Sequence, residues 1–195
     1  MKEFGRYVEL GRAYEHALLI EGQLWHLQFG LWVYQDEIRL ERIHSPKTLV
    51  AFAARVDRLV NDFESSTRKS VEVIASLDDL KFAEFSGELT SAVKQHHGLI
   101  VESLDPTDGS MEVVRSKWFN DGRADEHYLS RLTASRKRAH DANVFLCQQH
   151  TFLHNMLEDA AEELNSLGRH FHLESVHRSN RVPTALVVDE ESQDG

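Results

Sequence analysis

The chain has 195 residues, with 32 acidic and 22 basic side chains, a formal net charge of -10 and one cysteine. A chain of this length can bury an ordinary core as one domain, and one cysteine forms no internal disulfide. No run of about 20 apolar residues and no basic apolar leader occurs, so we expect a cytoplasmic protein without a membrane span or signal peptide. The acidic balance argues against a nucleic-acid partner, because it repels phosphate.

The stretch from about Tyr7 to His44 predicts one long first helix. Its apolar residues recur at spacings of three and four, which keeps one stripe of a helix against its neighbours. This inner stripe consists of Leu10, Ala13, Ala17, Ile20, Leu24, Leu27, Leu31, Tyr34 and Ile38. We expect Leu24 to be buried at the centre of the bundle.

A second row of apolar residues lies beside the inner stripe, and we call it the aromatic stripe: Leu18, Trp25, Phe29 and Trp32. At about 100° per residue it stands roughly 80–140° around the helix from Leu24. A stripe of this size is too large to remain in water. We expect the last helix or a second copy of the chain to cover it. Gly11 and Gly22 nearby favour the second copy, because small residues let two helices cross closely.

Turn signals divide the next part of the chain into three further long helices and one short helix. Ser-Pro and Asp-Asp pairs are typical of helix starts, and clusters of Asp, Pro and Gly are typical of breaks. The predicted ranges are 46 to about 76, 79–104, Met111–Phe119 for the short helix, and about 125–167, with Gly168 as the final C-cap. The joint of one residue after His44 makes the first two helices antiparallel.

The predicted fold is therefore all-α, an elongated up-down bundle of four long helices plus one short helix, in a domain of residues 1–168. Residues 169–195 lose the helical periodicity and form an extended tail or docking segment with an acidic end. Within this tail, Leu186 and Val187 are candidate partner-binding residues.

Twelve histidines make metal chemistry worth testing. His150 and His154 are four residues apart and Glu158 lies one turn further on, which places three possible ligands on one side of the last helix. The predicted inner stripe of that helix is Ala142, Phe145, Leu146, Gln149, Phe152, Leu153, Met156, Ala160 and Leu164. Measured from Gln149, the three candidates point outward. We therefore expect solvated surface histidines, no bound metal and no cofactor.

His96 differs, because it falls on the apolar face of the third helix. The predicted inner stripe there is Phe82, Phe85, Leu89, Ala92, His96 and Leu99. A histidine on such a face is usually a core residue with a buried polar partner, for which Gln149 and Asn61 are candidates. The alternative is a ligand or acid–base role in a pocket of the bundle.

Two helical families offer further alternatives. The four helices and the His150-x-x-x-His154 pair resemble a hemerythrin-like bundle, although His26 points away from the core stripe. The segment from Arg39 to His44 resembles the Arg-x4-His pattern of the HEPN helical ribonucleases, and the basic run around Arg136 could hold a phosphate or an RNA strand. This resemblance implies an RNA-directed helical protein.

We interpret the chain first as a helical interaction or assembly module, acting through the aromatic stripe and the tail on a protein partner or on itself, with a homodimer expected. The alternative is a helical-bundle metal-binding protein or enzyme that uses His96 or the His150 and His154 face. The RNA-directed protein ranks third. No nucleophile elbow, phosphate loop or paired-cysteine motif points to an enzyme.

Overall fold

Four long helices account for almost all of the described chain. The structure is a computed structural model that describes residues 2–40, 46–104, 119–120, 123–124 and 126–171. The elements are α1 (Lys2–Leu40), α2 (Pro46–Ala75), α3 (Leu80–Leu104), β1 (Phe119–Asn120), β2 (Arg123–Ala124) and α4 (Glu126–His170). The two strands pair antiparallel over two residues each.

The prediction of an all-α fold with four long helices is confirmed. Each helix packs against its two neighbours in a ring, because α1 and α3 each contact both α2 and α4. Neighbouring helices are antiparallel, as shown by the Arg6–Glu163 and Tyr34–Ser135 contacts of α1 with α4. No helix in the described ranges is long and apolar enough to cross a membrane.

Some predicted boundaries differ from the structure. Gly168 does not end the last helix, since α4 continues to His170 and the Phe171 N–H donates to the Gly168 carbonyl at 2.9 Å. Phe119, the predicted end of the short helix, instead begins β1. The rest of that predicted helix, and the tail beyond Phe171, lie outside the described residues.

The inner stripe of α1 is confirmed in full. All nine of its residues are buried, and Leu24 has no exposed surface. On the side facing α2, Gly30 is also buried, and the Leu59 side chain fills the space where a Cβ at Gly30 would stand. This close approach of α2 was not predicted from the sequence. Its only signal is a glycine in the middle of a helix, which costs about 1 kcal/mol relative to alanine unless packing compensates.

The predicted inner stripe of α4 is confirmed in part, but its predicted centre is misplaced. The members that are buried are Ala142, Leu146, Leu153, Ala160 and Leu164. Phe152 is 55% exposed and Gln149 is only partly buried, whereas His150 and Leu157 are buried. The true centre passes through Leu146, which is roughly 60° around the helix from Gln149. The prediction took Gln149 as the centre, but Phe145 and Phe152 on that side contact His96 and Phe85 of α3.

After Leu89, the buried side of α3 also differs from the predicted inner stripe. Val93 and Ile100 are buried, whereas Ala92 and Leu99 are only partly buried. One residue of displacement moves a side chain by about 100°, so His96 lies at the edge of the core and not at its centre.

One end of the bundle is tied together by Arg6. Its guanidinium lies 3.3 Å from the Asp79 carboxylate and 3.0 Å from the Glu163 carboxylate of α4. Asp79 also accepts a hydrogen bond from the Phe82 N–H at 3.3 Å, which caps the start of α3. The ion pairs therefore connect α1, α4 and the N-terminus of α3.

Candidate functional site

The aromatic stripe lies on the outer surface of α1. Trp25 and Phe29 are each 43% exposed, while Leu18 and Trp32 are partly buried. The last helix is therefore not the cover for Trp25 and Phe29, and of the two covers expected from the sequence only a second copy remains a prediction. Leu186 and Val187, the other candidate partner-binding residues, lie outside the described residues.

The three rings of the stripe are in contact with one another. Trp25 and Phe29 are stacked with an interplanar angle of 1° and centroids 5.7 Å apart. The Phe29 and Trp32 centroids are 5.9 Å apart. The rings thus form a continuous aromatic surface along one side of a helix, and each ring limits the rotation of the next.

Exposed apolar surface is concentrated on α1. Ten large hydrophobic side chains are exposed among the described residues, and six of them belong to this helix: Phe4, Val8, Leu19, Trp25, Phe29 and Leu40. Between Glu15 and Asp36, the only acidic or basic side chain other than histidine is Glu21, which turns toward α4 and is 16% exposed. The middle of the outer face is therefore apolar and almost free of charge.

On the side of α1 that faces α4, polar side chains join the two helices. His150 is buried, with 6% of its surface exposed. Its Nδ1 lies 3.1 Å from the Gln28 side-chain oxygen, an acceptor, so this nitrogen donates. Its Nε2 lies 3.7 Å from a Glu21 carboxylate oxygen. The ring therefore lies between two polar side chains of α1.

His154 completes this group, which we call the α1–α4 polar cluster: Glu21, Gln28, His150, His154 and Glu158. The Nδ1 of His154 is 3.2 Å from Glu21, and its Nε2 is 3.4 Å from Glu158. The prediction that both histidines are solvated surface residues is wrong. The physical reason is the rotation of α4, which turns these imidazoles toward Glu21 and Gln28.

Nothing in the sequence pattern joins Glu21 and Gln28 to the two histidines, since the contacting residues are 122 and 133 positions apart. A polar residue on the edge of the inner stripe of α1 was the only available signal. Among the described residues, no group of three or more His, Cys, Asp or Glu side chains is arranged to hold a metal ion. In this arrangement the cluster is a hydrogen-bonded connection between two helices.

His96 lies beside a small cavity between the helices. The cavity measures about 10 Å³, close to the volume that one water needs, and its walls are mostly apolar. The His96 ring packs on Phe145 with centroids 5.1 Å apart. Burial lowers the pKa of His96, and the negative charge of Asp141 opposes that shift. Of the partners expected for His96, Asn61 is exposed and cannot serve as a buried one.

The residues of the ribonuclease alternative are only partly described by the structure. Arg39 is exposed and pairs with Asp36 at 3.0 Å. Arg136 lies on α4, where it is partly buried. His44 lies outside the described residues.

Comparison of the chain with known protein families, with curated proteins and with solved structures found no match in any of the three.

Proposed function

We propose that the chain is a helical interaction module that associates through the outer face of α1. The observation that carries this proposal is the exposed aromatic stripe, with Trp25 and Phe29 each 43% exposed on a helix whose middle is almost free of charge. Protein interfaces are enriched in aromatic residues and depleted of charge at their centres. Single exposed apolar residues need no explanation, but a contiguous row of them marks an interaction surface.

The stripe is also held in a fixed position. Trp25 and Phe29 stack on each other, so little side-chain freedom is left to lose when a partner binds. The helix beneath them is fixed to α4 by the Gln28–His150 hydrogen bond and the Glu21–His154 contact. Rigid aromatic side chains on a rigid element are typical of residues that dominate binding energy.

The outer face of α1 is large enough for a specific interface. A helix of 39 residues is about 58 Å long, and a strip about 10 Å wide along its whole length, with the charge-poor middle as the centre and the charged ends as a polar rim, covers roughly 580 Å². Two such strips bury about 1,200 Å² in total, the lower limit for a stable protein–protein interface. A complementary protein surface of similar length therefore suffices as the partner.

A second copy of the chain is the partner that we favour. Each copy carries a net charge of -10, so copies repel one another except where charge is scarce. The middle of the outer face of α1 is such a region, and a closed dimer through one shared patch is the commonest form of homo-oligomer. The same charge argues against nucleic acid. Leu186 and Val187 in the tail remain proposed as a second contact, and a cytoplasmic location remains expected.

Light scattering on the purified chain tests the proposal. We expect a wild-type mass near twice 22.4 kDa, and a folded monomer for Trp25→Glu, because the charge is placed at the centre of the face. Leu80→Glu on α3 is the matched control, since Leu80 is even more exposed but lies outside the stripe, and it should leave the dimer intact. A wild-type chain that stays monomeric, or a Trp25→Glu variant that stays dimeric, contradicts the proposal.

A metal-binding function is the second candidate, and the approach of Glu21 to both His150 and His154 favours it over an enzyme built on His96. Native mass spectrometry of the protein as purified tests it. Zinc or iron at a whole-number stoichiometry that is lost in a His150→Gln variant would support this candidate. A metal-free chain with the full dimer mass would count against it.

A further inference from the structure

Three glycines of α1 show how differently glycine is used along one helix. The space where a Cβ of Gly30 would stand is filled by Leu59 of α2. A Cβ placed at Gly11 would meet the Leu164 side chain of α4 at an ordinary contact distance of 3.9 Å. Gly22 is exposed, and a Cβ placed there would meet nothing within 4 Å. A glycine inside a helix costs about 1 kcal/mol relative to alanine, and no contact described within the chain compensates for it at Gly22.

The neighbours of Gly22 distinguish it from other open glycines. Gly98 of α3 is also exposed with nothing within 4 Å, but it lies between Lys94 and Glu102 on a charged surface. Around Gly22, the positions one helical turn away on either side are Leu18, Leu19, Trp25 and His26. Gly22 is therefore a notch in an apolar face, next to the bulky ring of Trp25.

We infer that two copies of the chain pack with their α1 helices antiparallel across Gly22, so that Trp25 of each copy covers the Gly22 notch of the other. The inference rests on the proposed function, because it specifies how the outer face of α1 is occupied. A bulky ring beside a notch is complementary to a second copy of itself, as a twofold interface requires. The missing side chain lets the two helix axes approach closely.

The sequence around the notch supports the antiparallel register. We place the twofold axis midway between Gly22 and Trp25. Residue n of one copy then faces residue 47 − n of the other copy, so Phe29 of one copy faces Leu18 of the other. Leu18, Gly22, Trp25 and Phe29 all lie within roughly 60° of one another around the helix. In this register Leu18 pairs with Phe29 and Gly22 pairs with Trp25 of the other copy. Each of these four residues therefore faces an apolar side chain or the open space at Gly22. Antiparallel helices also oppose their macrodipoles.

Substitutions at Gly22 separate folding from association. Gly22→Leu fills the notch, so we expect the dimer dissociation constant, measured by sedimentation equilibrium, to rise at least tenfold. The same change should not lower the melting temperature of the monomer, because leucine favours the helix over glycine by about 1 kcal/mol. Gly98→Leu is the control and should leave the dimer unchanged. Loss of folding in Gly22→Leu would itself contradict the inference, since Gly22 would then be needed within one chain.

Comparison with Trp25→Glu keeps the inference distinct from the proposed function. If Trp25→Glu gives a monomer while Gly22→Leu stays fully dimeric, the copies associate through the outer face of α1 but do not pack Trp25 over Gly22. If both variants stay dimeric, the interface lies elsewhere and both ideas fail.

Cysteine cross-linking tests the direction of the helices. In a Cys147→Ser background, a Leu18→Cys chain mixed with a Phe29→Cys chain should form the mixed disulfide in preference to either like pair. Preferential Leu18→Cys homodimers would indicate parallel helices and overturn the antiparallel register.

Discussion

The two sides of α1 are held to the bundle by different kinds of contact. Toward α2 the Leu59 side chain fills the space over Gly30, and the His16–Ser70 and Glu37–Arg55 contacts, each at 3.2 Å, are only partly buried or exposed. Toward α4 it is joined by the α1–α4 polar cluster and by a hydrogen bond of 2.7 Å between the Tyr34 and Ser135 hydroxyls. The Gly30–Leu59 contact depends on shape, whereas the buried polar contacts with α4 depend on each group keeping its partner.

This difference sets how each side tolerates substitution. Loss of one polar partner leaves another group buried without its hydrogen bond, which costs more than the bond itself contributes. Loss of one apolar contact creates a gap that neighbours partly refill. The α4 side should therefore be the less tolerant of the two.

A substitution in the central core gives the reference loss of stability for both sides of α1. Leu24 is fully buried, so Leu24→Ala should destabilise the fold by about 2–5 kcal/mol through lost burial and a residual cavity. Chemical denaturation measures this cost. Leu80→Ala, at a highly exposed site, should have almost no effect. A comparably small loss for Leu24→Ala would show that the inner stripe of α1 does not form the core.

The polar side should respond almost as strongly to His150→Leu. The change removes the donor to Gln28 and one neighbour of Glu21 while leaving both side chains largely buried, so we expect a loss of about 2–4 kcal/mol. Gln148→Leu, at an exposed position on the same helix, is the control and should cost little. If both leucine variants unfold at the same denaturant concentration as the wild type, the polar cluster does not hold α1 to α4.

The hydrogen bond between Tyr34 of α1 and Ser135 of α4 can be removed with little change in side-chain shape. Burial raises the pKa of Tyr34, so its hydroxyl stays protonated and pairs with Ser135. Tyr34→Phe should cost about 1–2 kcal/mol, because Ser135 loses a buried partner. Adding Ser135→Ala should recover part of that loss, and equal, additive losses from the two substitutions would show that the hydroxyls act independently.

The apolar side can be tested by a double-mutant cycle at Gly30. Alanine favours a helix by about 1 kcal/mol, but at this position the new Cβ overlaps Leu59, so Gly30→Ala should give no gain in stability. In a Leu59→Ala background the overlap is gone, and Gly30→Ala should then stabilise by about 1 kcal/mol. The same gain in both backgrounds would mean that α2 does not approach α1 closely.

The smallest effect concerns the pH dependence at His96. Burial lowers the pKa of His96 in the folded chain, so below about pH 6.5 the unfolded chain takes up the proton first and stability falls. Above that pH the residue is neutral in both states and contributes no pH dependence. The wild type should therefore lose more melting temperature than His96→Gln on going from about pH 7.5 to about pH 5.5. Parallel curves for the two proteins would contradict this direction.

The sequence by itself determined the elements that rest on local periodicity. The inner stripe of α1 repeats at spacings of three and four over nine residues, and every one of them is buried. The helix break at Pro46 and the cap at Asp79 were likewise legible from local backbone chemistry. The aromatic stripe was also found from the sequence, because its residues share one side of the same helix.

Only the tertiary structure decided how α4 is rotated and which polar residues it buries. Its core side includes His150, which looks like a surface residue until Gln28 and Glu21 of α1 are placed opposite it. Whether a polar side chain is buried depends on a partner that can be 122 residues away, as for Gln28 and His150. Local periodicity holds no information about that partner, because the free energy that buries such a group comes from the facing helix.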